Sequence, residues 1–169
     1  ALVSIAVSVS FTQIRFGASY FDIQLDRRDI NISEGRLGLY LSETLALNFC
    51  DKHFTTINSN DSVGTAQETM SKHQCAELIV ISDNQEFVGK IDAISILNKD
   101  PTEELDIYID KECIRIFDTD SLSDAMKIAS NFVGEFIPVV NAKENIVVGV
   151  ISENALFSAY LDEQRRIIE

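Results

Sequence analysis

The sequence predicts an α+β fold: two copies of one strand–helix–strand–strand–helix unit, packed as a pseudo-two-fold pair. Three observations predict it. The stretch "IVISDNQEFVGKIDAISIL", Ile79 to Leu97, is written again as "IPVVNAKENIVVGVISENALF", Ile137 to Phe157. An offset of 59 lays Asp61-Ser62-Val63 on Asp120-Ser121-Leu122, Ala66 on Ala125, Ile57 on Ile116 and Ser71 on Ser130. After one inserted residue, Gly89 falls on Gly149 and Leu97 on Phe157. Within each copy, short apolar runs alternate with stretches of helical period.

The second copy shows the grammar best. Cys113 to Phe117 reads as a short strand. Ser121 is placed to cap a helix, with Asp124 three residues on as in a capping box. Leu122, Ala125, Met126 and Ala129 then share one helical face. Phe136 to Val140 is a nearly continuous apolar run, as expected of a strand buried on both faces. Asn141 to Asn145 forms a polar turn, and Ile146 to Ile151 returns as the next strand. Ser152 can cap the closing helix, whose Leu156, Phe157, Tyr160 and Leu161 form an apolar stripe. The first copy reads likewise: strand Phe54–Ile57, helix Ser62–Lys72, strands Leu78–Ile81 and Phe87–Ile91, helix Asp92–Leu97. Between the copies, "NKDPTEEL" carries one of the two prolines and reads as a surface connector.

Duplication answers a stability problem. A unit of about fifty residues sits near the lower limit for a self-sufficient core. Two such units can cover each other's sheets and remove apolar surface from water at roughly 25 cal/mol per Å². The junction also creates a cleft in which a ligand can sit.

Composition narrows the function. The 169 residues are 46% hydrophobic and 24% charged, proportions of a folded protein rather than a disordered tail. A formal net charge of −13 argues against nucleic-acid backbones, which need clustered Lys and Arg. It leaves room for a small anion in a local pocket. The three cysteines Cys50, Cys75 and Cys113 lack paired spacing, which fits a reducing compartment without disulfides. Cys50-x-x-His53 and His73-x-Cys75 could meet at a zinc ion, but the one-residue spacing is unusual for zinc, and no metal is expected. G-x-S-x-G, H-E-x-x-H and P-loop patterns are absent, and no enzymatic activity is expected.

The order of elements, with "FIPVV", a turn and "VVGVIS" before the last helix, resembles the CBS domain, and two in tandem resemble a CBS pair or Bateman module. On this reading residues 50–100 form the first CBS domain and 108–163 the second. CBS pairs that bind adenine nucleotides use a Gly-apolar-apolar-Thr/Ser-x-x-Asp stretch, whose hydroxyl and carboxylate hold the nucleotide. Gly149, Val150, Ile151 and Ser152 match it in the second copy, with Ala155 at the Asp position. In the first copy Gly89, Lys90 and Ile91 are followed by Asp92 at the hydroxyl position and Ser95 at the acid position. The resemblance therefore implies Asp92, Ser95 and Ser152 as nucleotide contacts, with AMP, ADP or ATP as ligand. The competing reading makes Asp92 and Ser152 helix N-caps, worth about 1 kcal/mol each.

The opening segment admits two readings. Val3, Ile5, Val7, Val9 and Phe11 alternate with small residues, a period-two strand pattern. The same residues suit the end of a membrane helix packed through Ser and Ala. No basic n-region or cleavage site marks a signal peptide, and the chain opens on Ala inside an apolar run, as a piece of a longer protein would. The continuation "FGASYFDIQLDRR" has a glycine break, a helix start at Ser19–Tyr20 and the pair Arg27-Arg28. It resembles the last two membrane helices of the ClC family of chloride channels and proton-coupled exchangers, many of which carry two CBS domains after them. That resemblance implies a truncated transmembrane remnant over residues 1–28, a linker over 29–49, and a chloride contact from the Tyr20 hydroxyl. A phenol can donate one hydrogen bond to a desolvated anion without adding charge; alternatively Tyr20 only packs an apolar face. The Arg pair suits a cytoplasmic exit. The function so implied is that of the cytosolic regulatory region of a chloride transport protein, homodimeric and acting on its own membrane domain. The alternative is a nucleotide-sensing CBS module of another protein, such as a metabolic enzyme or magnesium transporter.

Overall fold

The computed structural model describes residues 35–168. The reading of residues 1–28 as a membrane remnant, with Tyr20 in it, lies outside the described residues. Among those described, no helix is long and apolar enough to cross a membrane.

The first unit runs β1 (Thr56–Asn58), α2 (Val63–His73), β2 (Glu77–Ile81), β3 (Phe87–Asp92) and α3 (Ala93–Ile96). The second runs β4 (Ile116–Phe117), α4 (Leu122–Ala129), β5 (Ile137–Val140), β6 (Val147–Ile151) and α5 (Glu153–Ile168). A helix α1 (Gly35–Glu43) precedes both. Each unit has its own three-stranded sheet, ordered β1-β2-β3 and β4-β5-β6. In each, the outer pair joined through a helix is parallel and the hairpin pair antiparallel, as a helical crossover and a short turn require.

Caps explain the helix boundaries. Ser62 Oγ accepts the Thr65 amide at 3.3 Å and starts α2. Ser121 Oγ accepts the Asp124 amide at 3.1 Å and donates to the Asp124 carboxylate at 2.6 Å, closing the capping box of α4. Leu122, Ala125, Met126 and Ala129, expected on one face, are all buried. In the closing helix Leu156 and Tyr160 are fully buried.

The duplication extends to irregular detail. The hairpin registers slip at matching places, between Val80 and Ile81 and between Val139 and Val140. The turns carry Gln85 at φ 66° and Asn145 at φ 54°. The two turns also meet: Glu86 bridges Ile146 antiparallel, the Phe87 amide donates to Asn145 O at 2.6 Å, and Asn145 Nδ2 donates to Phe87 O at 3.1 Å. Equivalent residues facing each other mark the pseudo-two-fold axis. Beside it Ile79 and Phe87 of the first unit pack with Val140 and Val150 of the second, a shared interior over and above each unit's own core.

Two segments expected to be connectors are structural. After α1, a 3₁₀ turn (Ala46–Phe49) buries Ala46 completely, and Asp51 exchanges two 2.8 Å backbone hydrogen bonds with Val150 on β6. The equivalent turn (Leu105–Tyr108) buries Leu105, and Asp110 exchanges hydrogen bonds of 2.8 and 3.1 Å with Lys90 on β3. Residues 45–51 therefore lie along the second unit and 104–110 along the first. Helix α1 packs on α4 and α5, with Leu41 fully buried in the second unit's core.

Candidate functional site: the cleft between the units

A cleft of about 450 Å³ opens between the two units. Glu77, Lys90, Asp92 and Ile94 line one side, and Ile114, Phe132 and Val133 the other. Asp110 closes the end where the crossing segment meets β3. The volume falls in the range of small-molecule sites.

Local sequence fixes these positions. Asp92 ends β3 and caps α3: its Oδ1 accepts the amides of Ile94 at 2.9 Å and Ser95 at 3.0 Å. The cap leaves Ile94 at the rim, 86% exposed, opposite Val133, 69% exposed. Gly89 is required by the crossing segment, since a Cβ there would overlap the Asp110 carbonyl and stand 2.8 Å from Ile109 Cγ2. Gly149 has the same role, with Cys50 Cβ at 2.8 Å and Asp51 O at 3.0 Å.

The inner wall holds an ion pair. Lys90 is 7% exposed, and its Nζ donates to Glu77 Oε2 at 2.6 Å and to the Phe136 carbonyl at 2.8 Å. The ammonium stands 4.6 Å from the Phe136 ring centroid and 5.0 Å from that of Phe132, within cation–π range. Glu77 Oε2 also accepts the Glu135 amide at 3.1 Å, and Glu135 returns a bond by accepting the Ala76 amide at 3.3 Å. One lysine thus holds the start of β5 against the first unit. Nearby Cys113 has its thiol pKa raised to about 11, mainly by burial.

Of the residues the motif singled out, Asp92 lies in the cleft wall, and its carboxylate is engaged as a helix cap. The Ser95 hydroxyl donates to Asp92 O at 2.7 Å, and Ser152 Oγ, at the equivalent place in the other unit, accepts the Ala155 amide at 3.2 Å. Asp92 and Ser95 are thus joined by hydrogen bonds in the first unit, while Ser152 belongs to the second. Sequence reasoning missed Glu77 and the role of Lys90, although a lysine between Gly89 and Ile91 in a buried strand was a visible signal. Cys50 packs beside Gly149, while the exposed His53 ring sits 3.0 Å from Asp51. Among the described residues no group of three or more His, Cys, Asp or Glu side chains could hold a metal ion.

Two interlocked copies of an α+β unit with a cleft at their junction define a paired two-unit module. The chain belongs to the CBS domain family, whose pattern matches residues 46–101 and 104–162, and it is a tandem CBS pair. No curated protein sequence matches it. Among solved structures it is similar to a Thermotoga maritima CBS domain pair/ACT domain protein, with 17% identity, TM-score 0.64, and 71% of this chain and 98% of that one covered. It is also similar to the CBS pair domain of a putative Mg²⁺ transporter from Shewanella oneidensis, with 16% identity, TM-score 0.64, and coverage of 84% and 88%. The CBS-pair protein CBSX2 of Arabidopsis thaliana, solved with AMP, matches at 19% identity and TM-score 0.61, with 72% of this chain and 98% of that one covered. At these identities the likeness is one of fold.

Proposed function

We propose that the chain is the cytosolic regulatory region of a ClC-type chloride channel or proton-coupled chloride exchanger, with the cleft as the site of an adenine ligand. The observation that carries this is the succession of Phe16–Arg28, which resembles a terminal ClC helix, and a tandem CBS pair. Helix α1 supports it mechanically, because the segment arriving from residue 34 docks on the second unit through Leu41. A ligand that shifts the units relative to one another would act on that attachment, and coupling requires such a difference between two states. In this reading Tyr20 contacts chloride in the full-length protein, Asp92, Ser95 and Ser152 stand beside bound nucleotide, and the protein is a homodimer in the membrane. CBSX2 with AMP and the cytosolic domain of the Mg²⁺ channel MgtE with ATP support the nucleotide part by likeness of fold.

The test is ion flux by the full-length protein reconstituted in liposomes. Chloride efflux that Tyr20→Phe alters, and that nucleotide modulates, is expected. Magnesium flux without chloride flux would overturn the reading in favour of the second one, a magnesium transporter's regulatory domain. That second reading draws on the Shewanella oneidensis structure and on the soluble part of a magnesium transporter, matched with TM-score 0.65.

A further inference from the structure

We propose that the first-unit cleft selects its ligand against phosphate charge, favouring an uncharged adenine nucleoside over nucleoside di- and triphosphates. This rests on the reading of the cleft as an adenine-ligand site and deepens it. Among the described lining residues Lys90 is the one cation. It is not available to an incoming phosphate. Its ammonium is held by Glu77 at 2.6 Å and by Phe136 O at 2.8 Å, lies beside two aromatic rings, and is nearly excluded from solvent. Withdrawing it would strand the Glu77 carboxylate with only the Glu135 amide for a partner, a costly arrangement for a buried charge.

With Lys90 and Glu77 neutralising each other, the carboxylates of Asp92 and Asp110 are the remaining charges among the lining residues. Asp92 stands where the nucleotide-binding pattern puts a hydroxyl. It also occupies the Ile94 and Ser95 amides, the backbone donors a phosphate would need at that point. The rest of the mouth is apolar, with Ile94 and Val133 exposed on opposite lips and Ile114 between the units. Such walls suit a flat base, and the carboxylates can accept from ribose hydroxyls. A phosphate about 6 Å from one carboxylate, at an effective dielectric constant of about 40, loses roughly tenfold in affinity to it.

Amide chemical-shift titration of the 169-residue chain with adenosine, AMP, ADP and ATP, without divalent cation, tests this. Ile94 and Val133 report on this cleft and separate it from the equivalent place at Ser152. Affinity at these two amides is expected to fall from adenosine to ATP by at least about tenfold. Asp92→Ser is expected to raise the ratio of AMP to adenosine affinity about tenfold, and AMP binding that appears only in that variant counts as support. Should Asp92→Ser melt below the working temperature, Glu77→Gln serves instead, since removing that charge must raise the ATP to adenosine ratio. ATP binding here as tightly as adenosine, or ratios unmoved in the variants, overturns the inference alone. Silence of all four ligands at these amides in every protein overturns the adenine-ligand reading and the inference with it.

Discussion

At Lys90 the pseudo-symmetry of the molecule breaks. Its equivalent on β6 is Val150, and the equivalent of its partner Glu77 is Phe136, so a charged pair in one unit corresponds to an apolar pair in the other. Lys90→Met is expected to cost about 3 kcal/mol, because the mostly buried Glu77 carboxylate loses its counter-charge and keeps only the Glu135 amide, whereas the double substitution Lys90→Met, Glu77→Met recovers most of that; urea denaturation of the single and double variants measures the difference. Tyr160 is the opposite case. It is fully buried, and its hydroxyl makes no hydrogen bond. Tyr160→Phe should therefore raise stability by up to about 1 kcal/mol, read from the same denaturation curves. Asp124 gives a pH dependence. Hydrogen bonds from Ser121 and then Lys127 hold its pKa below the usual aspartate value. A depressed folded-state pKa contributes stability that is complete above the unfolded value and lost as pH falls through the folded one. The acid limb of the melting temperature against pH is expected to flatten in Asp124→Asn. Of these three, only the pairing of Asp124 with Ser121 was legible in advance, from its capping-box spacing. A strand pattern shows that position 90 is buried but not which carboxylate lies across the junction, and an apolar stripe does not show whether a tyrosine's oxygen finds a donor or acceptor.

Elements were more legible than contacts. Every strand and helix expected in the two units has a counterpart, because periodicity, polar turns and Ser or Asp caps agree along the chain. The first strand of each unit is shorter than its apolar run: Phe54 and Cys113 fall outside β1 and β4 and pack in the interior shared by the units. The crossing segments were passed over because they carry little regular structure and precede the motif. Their signal is nonetheless present at the same offset, where Ala46-Leu47-Asn48-Phe49-Cys50-Asp51 overlies Leu105-Asp106-Ile107-Tyr108-Ile109-Asp110. At this scale the two glycines that admit those segments are the sensitive points. Gly89→Ala and Gly149→Ala should each destabilise by about 1–3 kcal/mol, since the obstacles are the Asp110 carbonyl at Gly89 and, at Gly149, Cys50 Cβ with the Asp51 carbonyl, none of which a side-chain rotation moves away. Thermal unfolding followed by circular dichroism checks both.

For the whole molecule, the borders of the repeat in sequence are not the borders of the folded halves. The matched spans 46–101 and 104–162 each hold the segment that covers the other unit. Neither span is expected to give a cooperative unfolding transition alone, whereas residues 52–110, which keep the first unit with its own covering segment, should unfold more cooperatively than 46–101. The sequence announced duplication and a cleft, and those two features organise the structure. It did not announce that the halves are cross-tied, since pairing between distant segments leaves no periodic trace.

That cross-tie has a consequence for synthesis. As the chain leaves the ribosome, everything the first half requires has emerged once Asp110 is out. The stretch from α1 through Asp51 emerges earlier still, yet its landing surface on α4, α5 and β6 has not been made. Until those elements appear, Leu41 and Ala46 lack the core that buries them, and the nascent chain carries a sticky stretch just ahead of the first unit whose cover is made only after that unit.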